Sequence, residues 1–390
     1  MASGRLLVVS ERYFPEGGGG ELATHLIVGI LRRRFEVTVV TGTARPEVHP
    51  EVRYVYEPAL AGGSKLSLWL GSGRLAERDY FMRLVRESDV VYVPRFAYPV
   101  VPLAKRLGRR VVVHLHGYSP ISYTAAVLAP YERRRLVRDD VSIECGKGVG
   151  HCAGVLAFWW LPRLARRWVA MADVVLCVSR RQAGIIGDAA PELREKMRVV
   201  YNPPPPIRVE RRAAEVPTFL YAGGGDRLKG FYAVVAAARR LGRRGIRARF
   251  VFVNEYGGEA ARVLRALGRG LGSVELEVRG RVPRGELMRL LGGAWALVFP
   301  SLWEEPLPYV VVEAALAGVL PMASPVGGVP ELLAGSPAEG FMGGPGDLAG
   351  RVEELARMGP REVEELGRAT RDVVFERLRG VEGGLAAVFG

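Results

Sequence analysis

Two carboxylates eight residues apart, Glu305 and Glu313, stand in the stretch PSLWEEPLPYVVVEAALAGVLPMASPVGGVPE (300–331). The apolar run AWALVF ahead of them reads as a strand. Pro306 and Pro308 suit a loop passing into a first helical turn, and Gly318 suits its stop. The pattern predicts a strand, loop and helix, with Glu305 at the mouth of the corner and Glu313 one turn inside. At such a corner of a parallel sheet the free N–H groups and dipole of the helix favour a phosphorylated ligand. Carboxylates accept hydrogen bonds from vicinal hydroxyls, so one Glu on a ribose and one on a sugar would hold both ends of a nucleotide sugar. On spacing alone, a solvated Glu and a capping Glu is the plainer reading.

Glycine-rich turns are the next candidates. RLLVVS (5–10) reads as a buried strand, ERYFPEGGGG as a turn in which Gly17 to Gly20 let a ligand approach the backbone, and ELATHLIVGILRRR as a helix starting at Glu21. TFLYAGGGDRLKGFYAVVAAARRL repeats that logic some two hundred residues on, with Gly225, Arg227 and Lys229 in its turn. A tight turn without a ligand accounts equally well for the first loop. In VVVHLHG (111–117), His114 and His116 alternate with Leu115 and so point to one side of a strand.

The elements that position these groups follow from apolar runs. FEVTVVTG, VRYVYEP, SDVVYVP and DVVLCVS read as further strands of a first βα series, and ARFVFVNE, VELEV and AWALVF as strands of a second. Two glycine loops, each opening such a series, imply two doubly wound domains rather than a repeat array. We place them at 1–203 and 208–372, with a helix over 373–390 crossing back to the first.

Composition bounds the function. The 390 residues suffice for two well-filled cores, and no apolar run approaches a membrane span: Cys152 to Pro162 is eleven uncharged residues. The opening MASGRLLVVSERYF passes straight into a strand pattern without signal-peptide anatomy. Residues 1–205 carry 30 Lys+Arg against 19 Asp+Glu, most of the formal net charge of +14. Such a basic half suits an anionic surface or nucleic acid. Five Lys, one Gln and two Asn also fit an Arg-rich, heat-adapted chain, which explains the abundance of Arg but not its lopsidedness. In CAGVLAFWWLPRLARRWVAMAD, aromatics and arginines share a helical stretch that suits either a membrane interface or an ordinary core-facing helix. Cys145 and Cys152 flank GKGVGH without metal-ligand spacing, and read as buried thiols or one disulfide.

The run from Glu305 through Glu313, Ala314, Ala317, Gly318, Pro321, Ala323, Gly327, Gly328 and Glu331 resembles the donor-site signature of the retaining family 4 glycosyltransferases with a GT-B fold. The resemblance covers nearly the whole chain. It implies an α/β protein of two Rossmann-like domains facing a central cleft. It further implies Glu313 on the ribose, Glu305 and His116 on the sugar, Leu307 and Tyr309 at the donor corner, and backbone around Arg281 and Val282 at the nucleobase. The first glycine loop, through Gly19 and Gly20, would lie over the donor diphosphate. Lys229 and Gly230 match the family's phosphate clamp beside Gly225, but the usual arginine position is Gly224, and Arg227 is shifted. Pro308 replaces a usual glycine and removes one N–H.

The resulting expectation is a cytoplasmic hexosyltransferase-like enzyme, peripheral at the inner face of the cell membrane. It would move a sugar from a UDP-, GDP- or ADP-sugar to a hydroxyl acceptor, with a lipid-linked or membrane-associated glycan as one class. Glu305, His116, Lys229 and Arg227 would act on the sugar and leaving group, with no metal and no cofactor beyond the donor. Three rivals are a GT-B sugar epimerase, a basic nucleic-acid-binding protein and a non-catalytic sugar-binding protein. The epimerase usually lacks the paired-Glu run, no nucleic-acid motif appears, and the presence of both Glu and Lys229 speaks against decay.

Overall fold

The computed structural model describes residues 4–390. The first three residues of the MASGRLLVVSERYF stretch lie outside it. The chain divides into two compact units, one of residues up to Pro205 together with Gly380–Gly390, the other Pro206–Arg379.

In the first unit seven strands, β1 (Arg5–Ser10), β2 (Glu36–Thr41), β3 (Arg53–Tyr56), β4 (Val90–Val93), β5 (Arg110–Leu115), β6 (Val174–Cys177) and β7 (Met197–Val199), form one sheet. Its order is β3-β2-β1-β4-β5-β6-β7, and every pairing is parallel. The central strands are apolar runs buried on both faces, as helix-covered parallel sheets require. The edge strand β3 is only half covered. Strand order reverses beside β1, so the loops after β1 and β4 open onto the topological switch point. The glycine loop follows β1, and Arg95 follows β4.

The second unit repeats the scheme with β8 (Thr218–Tyr221), β9 (Ala248–Phe252), β10 (Val274–Val278), β11 (Ala296–Phe299) and β12 (Leu320–Ala323). The order is β10-β9-β8-β11-β12, all parallel, with the switch between β8 and β11. Lys229 lies on the loop after β8 and Glu305 on the loop after β11, the two connections that the switch brings together.

Three elements differ from the sequence reading. The Trp-rich stretch is two helices, Val149–Phe158 and Leu161–Ala170, parted at Trp159 and Trp160 where Pro162 sits at the start of the second. Glu21 is not the first residue of its helix: Gly19–Leu31 begins two residues earlier, and the Glu21 side chain reaches back to accept a hydrogen bond from the Gly18 N–H (2.8 Å). The end of the chain is not one helix over 373–390. Helix Pro360–Leu378 stays with the second unit, and the change of unit falls at Arg379 and Gly380. Helix Val381–Phe389 then packs on the first unit, with the Phe389 ring 5.1 Å from that of Tyr92 and Arg110 Nη2 donating to the Val388 carbonyl (2.8 Å). The break between the two helices falls at Arg379 and Gly380, while Gly383 and Gly384 lie inside the last helix, with Gly384 close to the Val200 side chain.

Candidate functional site

The corner after β11 is built as its residues demand. Pro308 caps helix Tyr309–Leu316, its carbonyl accepting from the N–H groups of Val311 (3.1 Å) and Val312 (3.3 Å). Gly318 ends the helix in the left-handed region at φ 72°. Glu305 is 7% exposed and ion-pairs with Lys229, whose ammonium also sits 5.1 Å from the centre of the Trp303 ring. Lys229 reaches this point because Gly230, at φ 78°, lets the loop turn against the end of β11: a Cβ there would stand 1.9 Å from the Pro300 carbonyl oxygen. Gly327 is equally constrained, since its Cβ would stand 1.7 Å from the Glu305 carbonyl oxygen. The Gly328 N–H donates to that oxygen (3.1 Å), and the Gly327 N–H donates to the buried carboxylate of Glu304 (2.8 Å). Glu304 thus ties the GGVPE turn to the Glu305 loop.

Glu313, 4% exposed, is not solvated either. It pairs with Arg284, the first residue of helix Arg284–Gly293. Burial raises the Glu313 carboxyl above its usual range and Arg284 draws it back down. The guanidinium has a second, buried Nη2 with no hydrogen-bond partner among the described residues. Arg281 and Val282 form the turn just before Arg284, so the expected nucleobase turn and the expected ribose carboxylate are joined through one side chain. Leu307 and Tyr309, on either side of Pro308, are both buried. Burial, then the Glu313 charge, holds the Tyr309 phenol well above its ordinary range, so it stays protonated.

Gly225 packs closely on Ala260 and its N–H donates to the Glu255 carbonyl (3.3 Å). Arg227 stands apart from the pair it was expected to join. It is exposed, and no ion pair among the described residues links it to Glu305 or Glu313, which are held by Lys229 and Arg284. A pocket of about 450 Å³ opens on this loop, but Asp226, Glu255 and Glu259 line it with carboxylates, a poor surface for a diphosphate.

In the first unit, the loops after β1, β4 and β5 converge on Arg95. Its Nε donates to Glu11 (2.8 Å) and its Nη1 pairs with Glu21 (2.5 Å). Glu11 also accepts from the Phe96 N–H (3.3 Å). Gly20 lies against this group: a Cβ would come 2.9 Å from Arg95 Nη1 and 3.4 Å from His116 Cβ, so a side chain there would press on the guanidinium that Glu11 and Glu21 hold. Gly19 precedes it as the first helical residue. His116 is half-buried with its ring centre 4.2 Å from that of His114, and its Nε2 is buried with no partner among the described residues. Burial, then His114 and Arg95, hold the His116 imidazole well below its ordinary range, so it is neutral. His114 is the structural member of the two, with Nδ1 2.8 Å from the Tyr92 hydroxyl.

The sequence reading did not single out Arg284, Glu304, Glu11 or Arg95 as site residues. Each acts across loops distant in sequence and none stands in a motif; only a strand end immediately before Glu11 and Arg95 marked the positions. Cys145 and Cys152 are joined in a disulfide, one of the two readings their spacing left open. Among the described residues no cluster of His, Cys, Asp or Glu is grouped to hold a metal ion.

Comparison with known proteins covers both units. The family described as Glycosyltransferase Family 4 matches residues 16–206, and that described as Glycosyl transferases group 1 matches 207–372. No curated protein matches the chain. Among solved structures it is similar to Anabaena Alr3699/HepE in complex with UDP-glucose, at 16% identity over 98% of this chain and 99% of that one, with a TM-score of 0.69. It is also similar to a sucrose-phosphate synthase from Thermosynechococcus elongatus (16% identity, 99% and 98% of the chains, TM-score 0.69). A third likeness is to the E. coli trehalose-6-phosphate structure bound with UDP-2-fluoro glucose (12% identity, 99% and 98%, TM-score 0.66). At such identities the likeness is one of fold.

Proposed function

Because the chain belongs to the GT-B glycosyltransferases of the family 4 type, we propose that its second unit binds a nucleotide-diphospho sugar and transfers the sugar, with retained configuration, to a hydroxyl acceptor. The observation that carries this reading is the pairing of both donor-corner carboxylates with cations, Glu305 with Lys229 and Glu313 with Arg284. Neither Glu is the solvated or capping residue that spacing alone would allow. Both are buried, oriented acceptors at a β-sheet switch point, which suits hydroxyl recognition.

In this reading Glu313 accepts from the ribose and Glu305 from the sugar. The Lys229 ammonium, held by Glu305 beside the sugar position, meets the charge that develops on the leaving diphosphate. Arg227, exposed and in no ion pair among the described residues, turns to the same charge when donor binds. Neutral His116 meets a sugar hydroxyl, while the glycine loop of the first unit, seated on Arg95, meets the diphosphate. Lys229, Arg227 and backbone N–H groups carry the neutralisation, so the scheme assigns no role to a metal. UDP is the first nucleotide to test, since structures of similar fold are described with UDP and UDP-glucose. The acceptor is a lipid-linked or membrane-associated glycan, met at the inner face of the membrane by the basic first half, and the scarcity of Gln and Asn fits a heat-adapted source.

A hydrolysis and transfer assay over a panel of UDP-, GDP- and ADP-sugars, with and without lipid extract, tests the proposal. Sugar transfer stimulated by lipid is the expected result. Conversion of the donor to an isomeric nucleotide sugar would establish an epimerase instead, and nucleotide binding without turnover would establish a sugar-binding protein.

A further inference from the structure

The Trp-rich region carries an apolar surface that the donor chemistry does not use. Helices Leu136–Cys145 and Val149–Phe158 form a hairpin whose tight connection is closed by the Cys145–Cys152 disulfide. Val155 faces inward and is fully buried. On the outer side Val149 (88% exposed), Ala153, Leu156 (60%) and Trp160 (42%) recur at spacings of four, three and four, which is one stripe of a helix. Between Val149 and Trp160 only His151 is titratable, and it is paired with Glu144. A helix in water ordinarily turns such a stripe inward.

Cations frame the stripe. The backbone of Trp159 and Trp160 stays in the right-handed helical region, so exposed Arg163 and Arg167 continue the same line, the Arg163 guanidinium 4.5 Å from the centre of the Trp159 ring. Arg138 is exposed on the other arm of the hairpin, and Arg134 is exposed in the turn that leads into it. None of these four arginines has an ion-pair partner among the described residues. The nearby carboxylates are engaged: Glu144 with Lys147 and His151, Asp139 with Arg135, and Asp140 with the Ser122 and Thr124 hydroxyls. Residues 133–167 hold eight Lys and Arg against three Asp and Glu.

We propose that this hairpin docks on an anionic phospholipid bilayer, with Val149, Leu156 and the two indoles at the acyl boundary and the arginines on headgroup phosphates. A second copy of the chain would fill the apolar stripe equally well. It would, however, bring the same arginines to the contact and no uncommitted carboxylates to meet them, whereas lipid phosphates complement the charge. Exposed indoles beside arginines are the side chains that settle at the headgroup level. The inference rests on the membrane-acceptor reading above and names the element that makes the contact.

The test is co-sedimentation with vesicles of phosphatidylcholine alone and of phosphatidylcholine mixed with phosphatidylglycerol, beside UDP binding by calorimetry. The full chain should bind the mixed vesicles and release them at high salt. Leu156→Asp should weaken vesicle binding on the order of tenfold or more with UDP binding unchanged. Arg163→Gln with Arg167→Gln should weaken it while flattening its salt dependence, and this variant decides the matter should Leu156→Asp fail to fold. Equal binding to both vesicle types, vesicle binding unchanged in the variants, or a lipid-free dimer that Leu156→Asp dissociates would each overturn the proposal. Vesicle binding that follows expectation in a chain with no affinity for any nucleotide would support the docking surface and overturn the donor assignment.

Discussion

The carboxylate of Glu313 is buried against the guanidinium of Arg284, which opens the helix directly after the Arg281–Val282 turn. One ion pair therefore links the two places where a nucleotide's ribose and base are expected to lie. Glu313→Ala should weaken UDP affinity by about 1.5–3 kcal/mol, the range for charge-assisted hydrogen bonds. Unchanged affinity for UDP, GDP and ADP by calorimetry would remove the second unit from donor binding.

The same pair sets a pH dependence. Burial raises the folded Glu313 carboxyl above 4.5, and Arg284 opposes that rise. A raised carboxyl contributes most stability below 4.5 and loses it as pH rises through the folded value. Ligand binding runs the other way, because the ribose needs the ionised acceptor. UDP affinity should climb with pH through a midpoint above 4.5, and Arg284→Gln should move that midpoint higher. Titrations of the two proteins that superimpose after normalisation would show that Arg284 does not tune Glu313.

Lys229 and Arg227 share a loop but not a setting. Lys229 is held on Glu305 at the donor corner, while Arg227 is exposed two residues before it. Fixed cations at a leaving group are worth more in the transition state than in the ground state. Lys229→Ala and Arg227→Ala should each lower kcat on the order of 10²-fold. Wild-type turnover in Arg227→Ala beside a crippled Lys229→Ala would show that the guanidinium stays in solvent and Lys229 acts alone.

Gly230 gives a prediction that depends on backbone alone. Its positive φ and its approach to the Pro300 carbonyl oxygen leave no room for a side chain. Gly230→Ala should cost about 1–3 kcal/mol of stability and raise the donor KM by shifting Lys229. A melting temperature and KM equal to wild type would show that the loop can take another path.

How much of this was legible depended on whether the cause was local. Alternating βα runs revealed the two sheets, because buried parallel strands must be continuously apolar. Glu305 and Glu313 were legible because both lie on one strand, loop and helix corner, and Lys229 because a glycine turn precedes its helix. Arg284, Arg95 and Glu304 were not, since each is defined by a partner across a loop and an ion pair leaves no periodicity. The exposed face of the 149–158 helix was hidden for a related reason: an apolar helix reads the same whether its stripe turns inward or outward. The place of Arg227 was beyond sequence reasoning altogether, because three consecutive glycines permit many paths.

The last prediction concerns the two histidines beside the first glycine loop. Burial pushes His114 down to about 3, and burial, His114 and Arg95 together hold His116 well below its ordinary 6.5. Both are therefore neutral in the folded chain at pH 7, yet take up protons near 6.5 once unfolded. The unfolded chain then binds more protons than the folded one in the window below 6.5. Stability from these groups is fully present above 6.5 and is lost as pH falls toward the folded values. Each of these neutral imidazoles should cost about 1.4 kcal/mol per pH unit across that window. Denaturant unfolding of wild type at pH 7, 6 and 5 should thus show a steep loss, and His114→Gln should flatten it by about the share of one histidine. Turnover should show no ionisation of His116 between pH 6 and 8, because the group does not titrate there. A kcat profile with a midpoint near 6.5 that disappears in His116→Asn would mean that the imidazole is charged when the sugar binds, and the neutral role assigned to it would fall.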